Sequence, residues 1–376
     1  KIVVLTNVID QPKTYLENNI LVVRCWQRNH LSLFPTLIQQ IVRFRQIKNI
    51  LFEFEFAAYG EITSTGLTIP FLGLLRLFGK RVTSVIHQAV PNLKNLSLHA
   101  GLNAKPLATK LLNKLLKTFY LALIGLSNSV ITLEKSLADN LNQMYPSTKI
   151  TAIPHGLYLQ KPVNQQAAKK RLNLNPADYH VLSFGYLSHY KGSDIAVAAF
   201  KNSLQINGRE AKLILAGGES PTQGQKPHYQ GFYKKLYQLI DNKPNVIHTG
   251  FVPDSRIATY FSAADLVIFP YRTLMSASGP LSLAIAYNKP FIVSTSLELY
   301  SPHSFVPKAS DLRKSIITTL KSRKIQKQLH QVTAKLRKAR NFDLQGETYL
   351  NLIKGQGPNA KLDLWPKTSP NSDIAP

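Results

Sequence analysis

Acidic residues are scarce in this chain: 20 Asp and Glu stand against 46 Lys and Arg, for a net charge of +26. A surplus of that size attracts anionic partners, whether nucleic acid, an acidic membrane surface or phosphorylated small molecules. Cysteine is nearly absent. With Cys25 alone, no disulfide forms within the chain, which fits a reducing compartment. Long apolar runs are missing too, and none reaches the ~18 residues that a spanning helix needs. The best, 118–126 and 69–77, are half that length or interrupted by Arg76. No signal peptide is legible, since residues 1–10 read as a strand, and no repeat recurs at a fixed period. What remains is 376 residues, 44% hydrophobic and 18% charged, enough for two globular domains.

Strand and helix patterns alternate along most of this length. In the first half, strands are predicted at 1–6, 20–25, 49–55, 81–87 and 129–133, with helices at 33–44, 69–78, 107–124 and 134–144. A short strand at 149–153 leads into a linker, Pro154-His155-Gly156, and a polar run to Asn175. A second alternating set follows, with strands at 180–185, 211–216, 245–249, 266–269 and 291–294. Its helices are predicted at 193–204, 231–241, 255–263 and 281–287. Such spacing argues for parallel βαβ units. Two successive doubly wound sheets put a ligand in the crevice between domains, at the carboxyl ends of the strands. Residues 311–353 read as helices, carrying ten Lys and Arg between Arg313 and Arg340. The tail from Gly355, rich in Pro, Ser, Asn and Gly, reads as disordered.

Three segments carry the chemistry. In FGYLSHYKGSDIAVAAF (184–200) a strand ends at Gly185, where a backbone without Cβ lets a ligand approach. Lys191 then sits in a loop just before Gly192-Ser193 opens a helix, placed either to neutralise a diphosphate or simply at the surface. In LILAGGES (213–220) the pair Gly217-Gly218 ends an apolar strand, marking either a ligand crevice or a tight turn. In the third, Ser276-Ala277-Ser278-Gly279-Pro280 precedes a helix whose first turn offers unpaired N–H groups and the positive end of a dipole. Ser278 is the candidate cap and Pro280 suits the first turn. Ser276 and Ser278 carry hydroxyls able to meet phosphate or ribose.

In order and spacing these segments resemble the family 4 retaining glycosyltransferases. IPHGL (153–157) is similar to that family's interdomain signature. FGYLSHYKG is similar to its lysine loop, GFVPDSRIATYFSAADLVIFP (250–270) to its Gly-x-Val helix–strand block, and SLAIAYNKPFIVS (282–294) to the strand that closes its motif. ARNFDLQGETYLNLIK (339–354) resembles the last helix, which crosses back to the first domain. The first half matches more loosely, through FEFEFAAYGE (52–61), VTSVIHQAV (82–90) and SVITLEKSLADNL (129–141).

The resemblance implies an α/β chain of two facing Rossmann-like doubly wound domains, the GT-B fold. It implies an acceptor-side domain at 1–155 and a nucleotide-sugar domain at 156–338. A crossing helix at 339–354 and the tail at 355–376 would complete the chain. It further implies sugar transfer from a nucleotide diphosphate sugar with retention and without metal. Lys191 and the amides near Ser278 and Gly279 would hold the diphosphate, with Gly185, Tyr186, Gly217, Gly218 and Ser276 around it. His87 would contact the donor sugar or reacting centre, and Glu55, either an acceptor-orienting group or a plain strand end, would complete the facing side.

Departures from the family are equally specific. Its two hallmark glutamates fall on Met275 and Leu283, and Tyr186 replaces the arginine that partners the lysine. Either Ser, Gly and helix amides hold the diphosphate unaided, the reading favoured here, or the chain is an inactive sugar-nucleotide-binding homologue or scaffold. The amino end matches the family only from its second strand, so the first strand–helix unit is expected to be missing. The charge suggests a glycan or lipid-linked envelope acceptor and a cytoplasmic location, on the inner face of the plasma membrane. Helix 107–119 sets Leu107, Leu111, Leu112, Leu115 and Phe119 on one side and Lys110, Lys114 and Lys117 on another. It either packs on the core with a solvated basic face or lies on an anionic membrane. Nucleic acid is not expected as a partner, because no recognisable module accompanies the basic run.

Overall fold

The structure, a computed structural model, describes residues 2–356 apart from 57, 89–105, 222 and 242; for 62, 106 and 107 only the backbone is described. Two sequence expectations therefore lie outside the described residues, namely most of the tail from 355 and the end of the 82–90 segment. The described chain up to Pro154, with the residues from Gly346 on, forms one compact unit, and His155–Gln345 forms the other. That boundary falls inside the last helix, Phe342–Ile353.

Among its described residues the first unit holds seven strands: β1 (Ile2–Asn7), β2 (Lys13–Glu17), β3 (Ile20–Trp26), β4 (Asn49–Phe54), β5 (Arg81–Ile86), β6 (Ser129–Thr132) and β7 (Ile150–Ala152). They divide into a three-stranded sheet, β1-β3-β2, and a four-stranded parallel sheet, β4-β5-β6-β7. Parallel βαβ order runs from β4 to β7. The β2–β3 hairpin is an unpredicted addition to it. Its two turn residues, Asn18 and Asn19, both have positive φ (48° and 65°), a conformation that matches strand twist and that asparagine tolerates. Helices Thr68–Leu77 and Pro106–Leu126 pack side by side over the four-stranded sheet. They bury Phe71, Leu72, Leu75, Tyr120, Leu123 and Ile124 against Phe52, Phe54, Val82 and Val130. Each such side chain is worth about 1.5–3 kcal/mol of transfer free energy.

The second unit is built on β8 (Tyr179–Phe184), β9 (Gln205–Ile206), β10 (Arg209–Ala216), β11 (Val246–Gly250), β12 (Leu266–Phe269), β13 (Phe291–Ser294) and β14 (Ser304–Phe305). Their order is β11-β10-β8-β12-β13-β14, all parallel, with β9 antiparallel on β10. Alternate residues feed opposite faces. Val181, Leu213, Leu215 and Ile268 enter one core, while Leu182, Ile214, Val267 and Phe269 enter the other. Both faces are thus covered, as a parallel sheet requires.

The predicted helix 193–204 stops at Ala199. Asn207-Gly208, with φ of 51° and 73°, turns the chain into the β9–β10 hairpin, so 205–206 pair as strand instead. Arg313 donates to the carbonyls of Ala199, Asn202 and Ser203, which the ended helix leaves open. Part of the basic run 313–340 is spent in this way inside the fold. Arg337 donates to the carbonyls of Ala286 and Gln160, and buried Arg340 to the Tyr300 hydroxyl.

Candidate functional site

Strand order reverses direction at β8. From it the chain crosses first to β10 on one side and then to β12 on the other. At such a switch point the connecting loops diverge and leave a crevice at the carboxyl ends of the strands. The three segments singled out in the sequence are the loops after β8, β10 and β12, and the structure brings them together. Gly185 has φ +110°, and a Cβ built on it stands 2.8 Å from Pro280 Cγ and 3.5 Å from Lys191 Nζ. Gly217 lies so close to the Gly185 carbonyl that any side chain there meets it. Gly218 accepts a hydrogen bond from the Leu187 amide (2.9 Å).

Lys191 is half-buried, and its ammonium lies 5.7 Å from the Tyr190 ring centroid. Among the described residues no carboxylate pairs with it. Burial without compensation pushes its pKa down to about 8. An unpaired cation held in a crevice is poised to gain from an anionic ligand.

Ser278 is the N-cap of the helix Gly279–Ala286, where its hydroxyl oxygen accepts from the Leu281 amide (3.2 Å). The same oxygen is 2.8 Å from the hydroxyl of Tyr271. Ser278 is therefore occupied within the protein, and its value to an anion is indirect. With Pro280 lacking an N–H and Leu281 engaged, Gly279 keeps the open amide of the first turn. Replacing Ser278 by alanine is expected to cost about 1–3 kcal/mol, from the lost cap and the buried Tyr271 hydroxyl it orphans. A thermal melt that does not move would contradict this. Ser276 is half-buried two residues upstream. Leu283, where the family resemblance put a glutamate, packs against the apolar core.

The sequence reading missed three neighbours. Arg272, just after β12, holds the lysine loop from outside. Its guanidinium binds both oxygens of Asp194 (2.8 and 2.6 Å) and the His189 carbonyl, and its amide donates to the Tyr190 carbonyl. Phe251, 65% exposed, stacks on half-exposed Tyr186 with centroids 6.5 Å apart and planes 21° apart. Two flat apolar rings at the strand ends suit a nucleobase or a sugar face.

His87 and Glu55 belong to the first unit. His87 follows β5 and meets a third missed residue, Glu53, at 2.7 Å. That hydrogen bond holds its pKa above the usual 6.5 against the opposing effect of burial. Glu55 accepts from Gln88 (3.2 Å). Because the folded value is raised, the His87–Glu53 pair adds stability at low pH and loses it as pH rises through the folded pKa. Titration of His87 by NMR is expected to show a midpoint above 6.5 that falls in Glu53→Gln. An unmoved midpoint would rule Glu53 out as the cause.

Residues 164–299 match the family model described as glycosyl transferases group 1. Over 152 residues, 39% of this chain, the sequence is 28% identical to the D-inositol 3-phosphate glycosyltransferase of Segniliparus rotundus. The match spans about a third of that curated relative's length. In fold, the chain is similar to sucrose-phosphate synthase from Thermosynechococcus elongatus, with TM-score 0.69, 17% identity, and coverage of 94% of this chain and 89% of that one. It is also similar to the trehalose-6-phosphate synthase OtsA (TM-score 0.70, 11% identity, 94% and 90% covered). Anabaena HepE, solved in complex with UDP-glucose, is a third (TM-score 0.64, 16% identity, 90% and 86% covered). The matched stretch contains all three converging loops. By these matches the chain is similar to the group 1 glycosyl transferases over residues 164–299, and its fold is the GT-B fold.

Proposed function

We propose that this protein is a retaining glycosyltransferase that moves a hexose from a nucleotide diphosphate sugar onto an acceptor. The observation that carries the reading is the meeting of Lys191, Gly185 and the Gly279–Ala286 helix start at the switch point of a parallel sheet. There the lysine cation, the Gly279 amide and the helix dipole would stabilise the diphosphate as the bond to the sugar breaks. No metal is assigned a role. Tyr186 and Phe251 would flank the donor, with Gly217, Gly218 and Ser276 lining its bed. His87, hydrogen-bonded to Glu53, and Glu55 are the first unit's candidates to serve the reacting centre and the acceptor.

UDP-glucose is the first donor to try, because HepE was solved with it. The acceptor we favour is a glycan or lipid-linked envelope precursor, met on the cytoplasmic side of the plasma membrane. Calorimetry with uridine and guanosine diphosphates, followed by NMR of product formed from the corresponding sugars, tests this reading. Diphosphate binding with transfer and retained anomeric configuration supports it. Binding without transfer to any acceptor favours the inactive sugar-nucleotide-binding subunit, and absence of binding removes the donor site altogether.

A further inference from the structure

Two helices of the first unit turn their apolar side chains inward only in part. On Pro106–Leu126, Leu116, Phe119, Tyr120 and Leu123 pack inward, yet Leu111 and Leu115 are 59% and 58% exposed. Leu121, on the same side as the lysines, is 57% exposed as well. The neighbouring helix Thr68–Leu77 repeats the pattern: Pro70, Leu74 and Leu77 are exposed, continued by Leu67 before it and Phe78 after it, and Leu77 reaches 82%. Because β4, β5 and β6 follow one another in sheet order, right-handed crossovers place both helices on one face of that sheet. Their outward apolar residues are therefore neighbours on one side of the first unit, grouped instead of scattered singly.

The charge on this face has one sign. From Ile62 to Leu133 the sequence contains no Asp or Glu, while it contains eight Lys and Arg. Lys110, Lys114 and Lys117 are exposed beside the leucines, and no carboxylate among the described residues pairs with them. A second copy of the chain would set lysine against lysine with no acid to answer. Specific protein interfaces also favour aromatic residues and arginine and are depleted in lysine. Leucines flanked by lysines are instead the pattern of a helix lying in a lipid interface, its apolar side chains among the acyl chains and its ammonium groups at anionic headgroups.

We propose that the outward faces of Thr68–Leu77 and Pro106–Leu126 form a docking surface for an anionic lipid bilayer. No helix among the described residues is long and apolar enough to cross a membrane, so the contact is peripheral. The bearing of this surface on the acceptor rests on the transferase reading, but the surface does not, since vesicle binding needs no turnover.

Co-sedimentation of the full chain with phosphatidylcholine vesicles, with and without phosphatidylglycerol, is the test. Binding is expected only with phosphatidylglycerol and to weaken with salt. Neutralising Lys110, Lys114 and Lys117 to Gln is expected to weaken it on the order of 100-fold, at about fivefold per basic residue near the surface. Leu77→Ser, Leu111→Ser and Leu115→Ser together are expected to abolish it. As a control of equal charge, Lys324→Gln, Lys327→Gln and Lys335→Gln change exposed residues of the helix Arg323–Ala339 and should leave binding unchanged. Equal loss in both lysine sets would reduce the effect to net charge and overturn the surface. So would failure of the wild-type chain to bind at low salt, or a dimer in light scattering that the leucine changes dissociate.

Discussion

Lys191→Ala is expected to lower donor turnover about 100- to 1000-fold, the range seen when one fixed donor to a developing oxyanion is removed. The pH dependence separates charge from shape. With a pKa pushed down to about 8 by burial, the Lys191 cation is present at neutral pH and is lost as pH rises through 8. Activity of the wild-type chain at low donor concentration should fall there. Lys191→Arg, which stays charged, should lack that alkaline limb even if its overall rate is reduced. Stability moves the opposite way. Because the folded pKa lies below the unfolded value of 10.5, the buried cation is unfavourable at neutral pH and its cost is relieved only as pH rises from about 8 toward 10.5. Lys191→Met should therefore melt at a higher temperature than wild type at pH 7 while losing turnover. Undiminished turnover in Lys191→Ala would take this residue out of the reaction.

The second large effect is on stability. Gly192 holds φ +71° as the residue before the helix Ser193–Ala199, and a Cβ built on it falls 2.0 Å from the Pro270 carbonyl oxygen. Gly192→Ala is expected to cost about 2–5 kcal/mol, combining left-handed strain with a backbone collision that flexible side chains cannot absorb. In melting temperature this is roughly 10 °C for a unit of this size. Gly208 is the internal control, with nearly the same φ of +73° but nothing within 4 Å of its Cβ. Gly208→Ala should show the strain alone, about 1 kcal/mol. Equal damage from the two substitutions would mean that the loops after β8 and β12 do not meet as described.

Features that depend on neighbours in sequence were legible. β12 and β13 have the predicted ends because Pro270 follows one and Pro290 precedes the other. Ser278 was readable as a cap because capping reaches only three residues along the chain. The Asn207-Gly208 turn was equally local and equally strong, and it was overlooked beneath an apolar pattern that ran on past Phe200. Other features had no local signature. Arg272 and Asp194 are 78 residues apart, and each alone looks like a surface charge. Glu53 reads as an outward residue of a strand until β5 brings His87 alongside. In the helix Pro106–Leu126 apolar residues lie nearly all round, so periodicity predicts the helix but not which leucines turn outward.

The Arg272 clamp also bears on how the lysine loop is ordered. A loop between Gly185 and Gly192 that froze only around its ligand would subtract that conformational entropy from affinity. Here the bidentate Arg272–Asp194 pair and two carbonyl contacts fix the loop through the protein's own groups. Pre-organisation is thus a property of folding and not of binding. Loosening the clamp should weaken donor affinity without changing a single group that touches the donor.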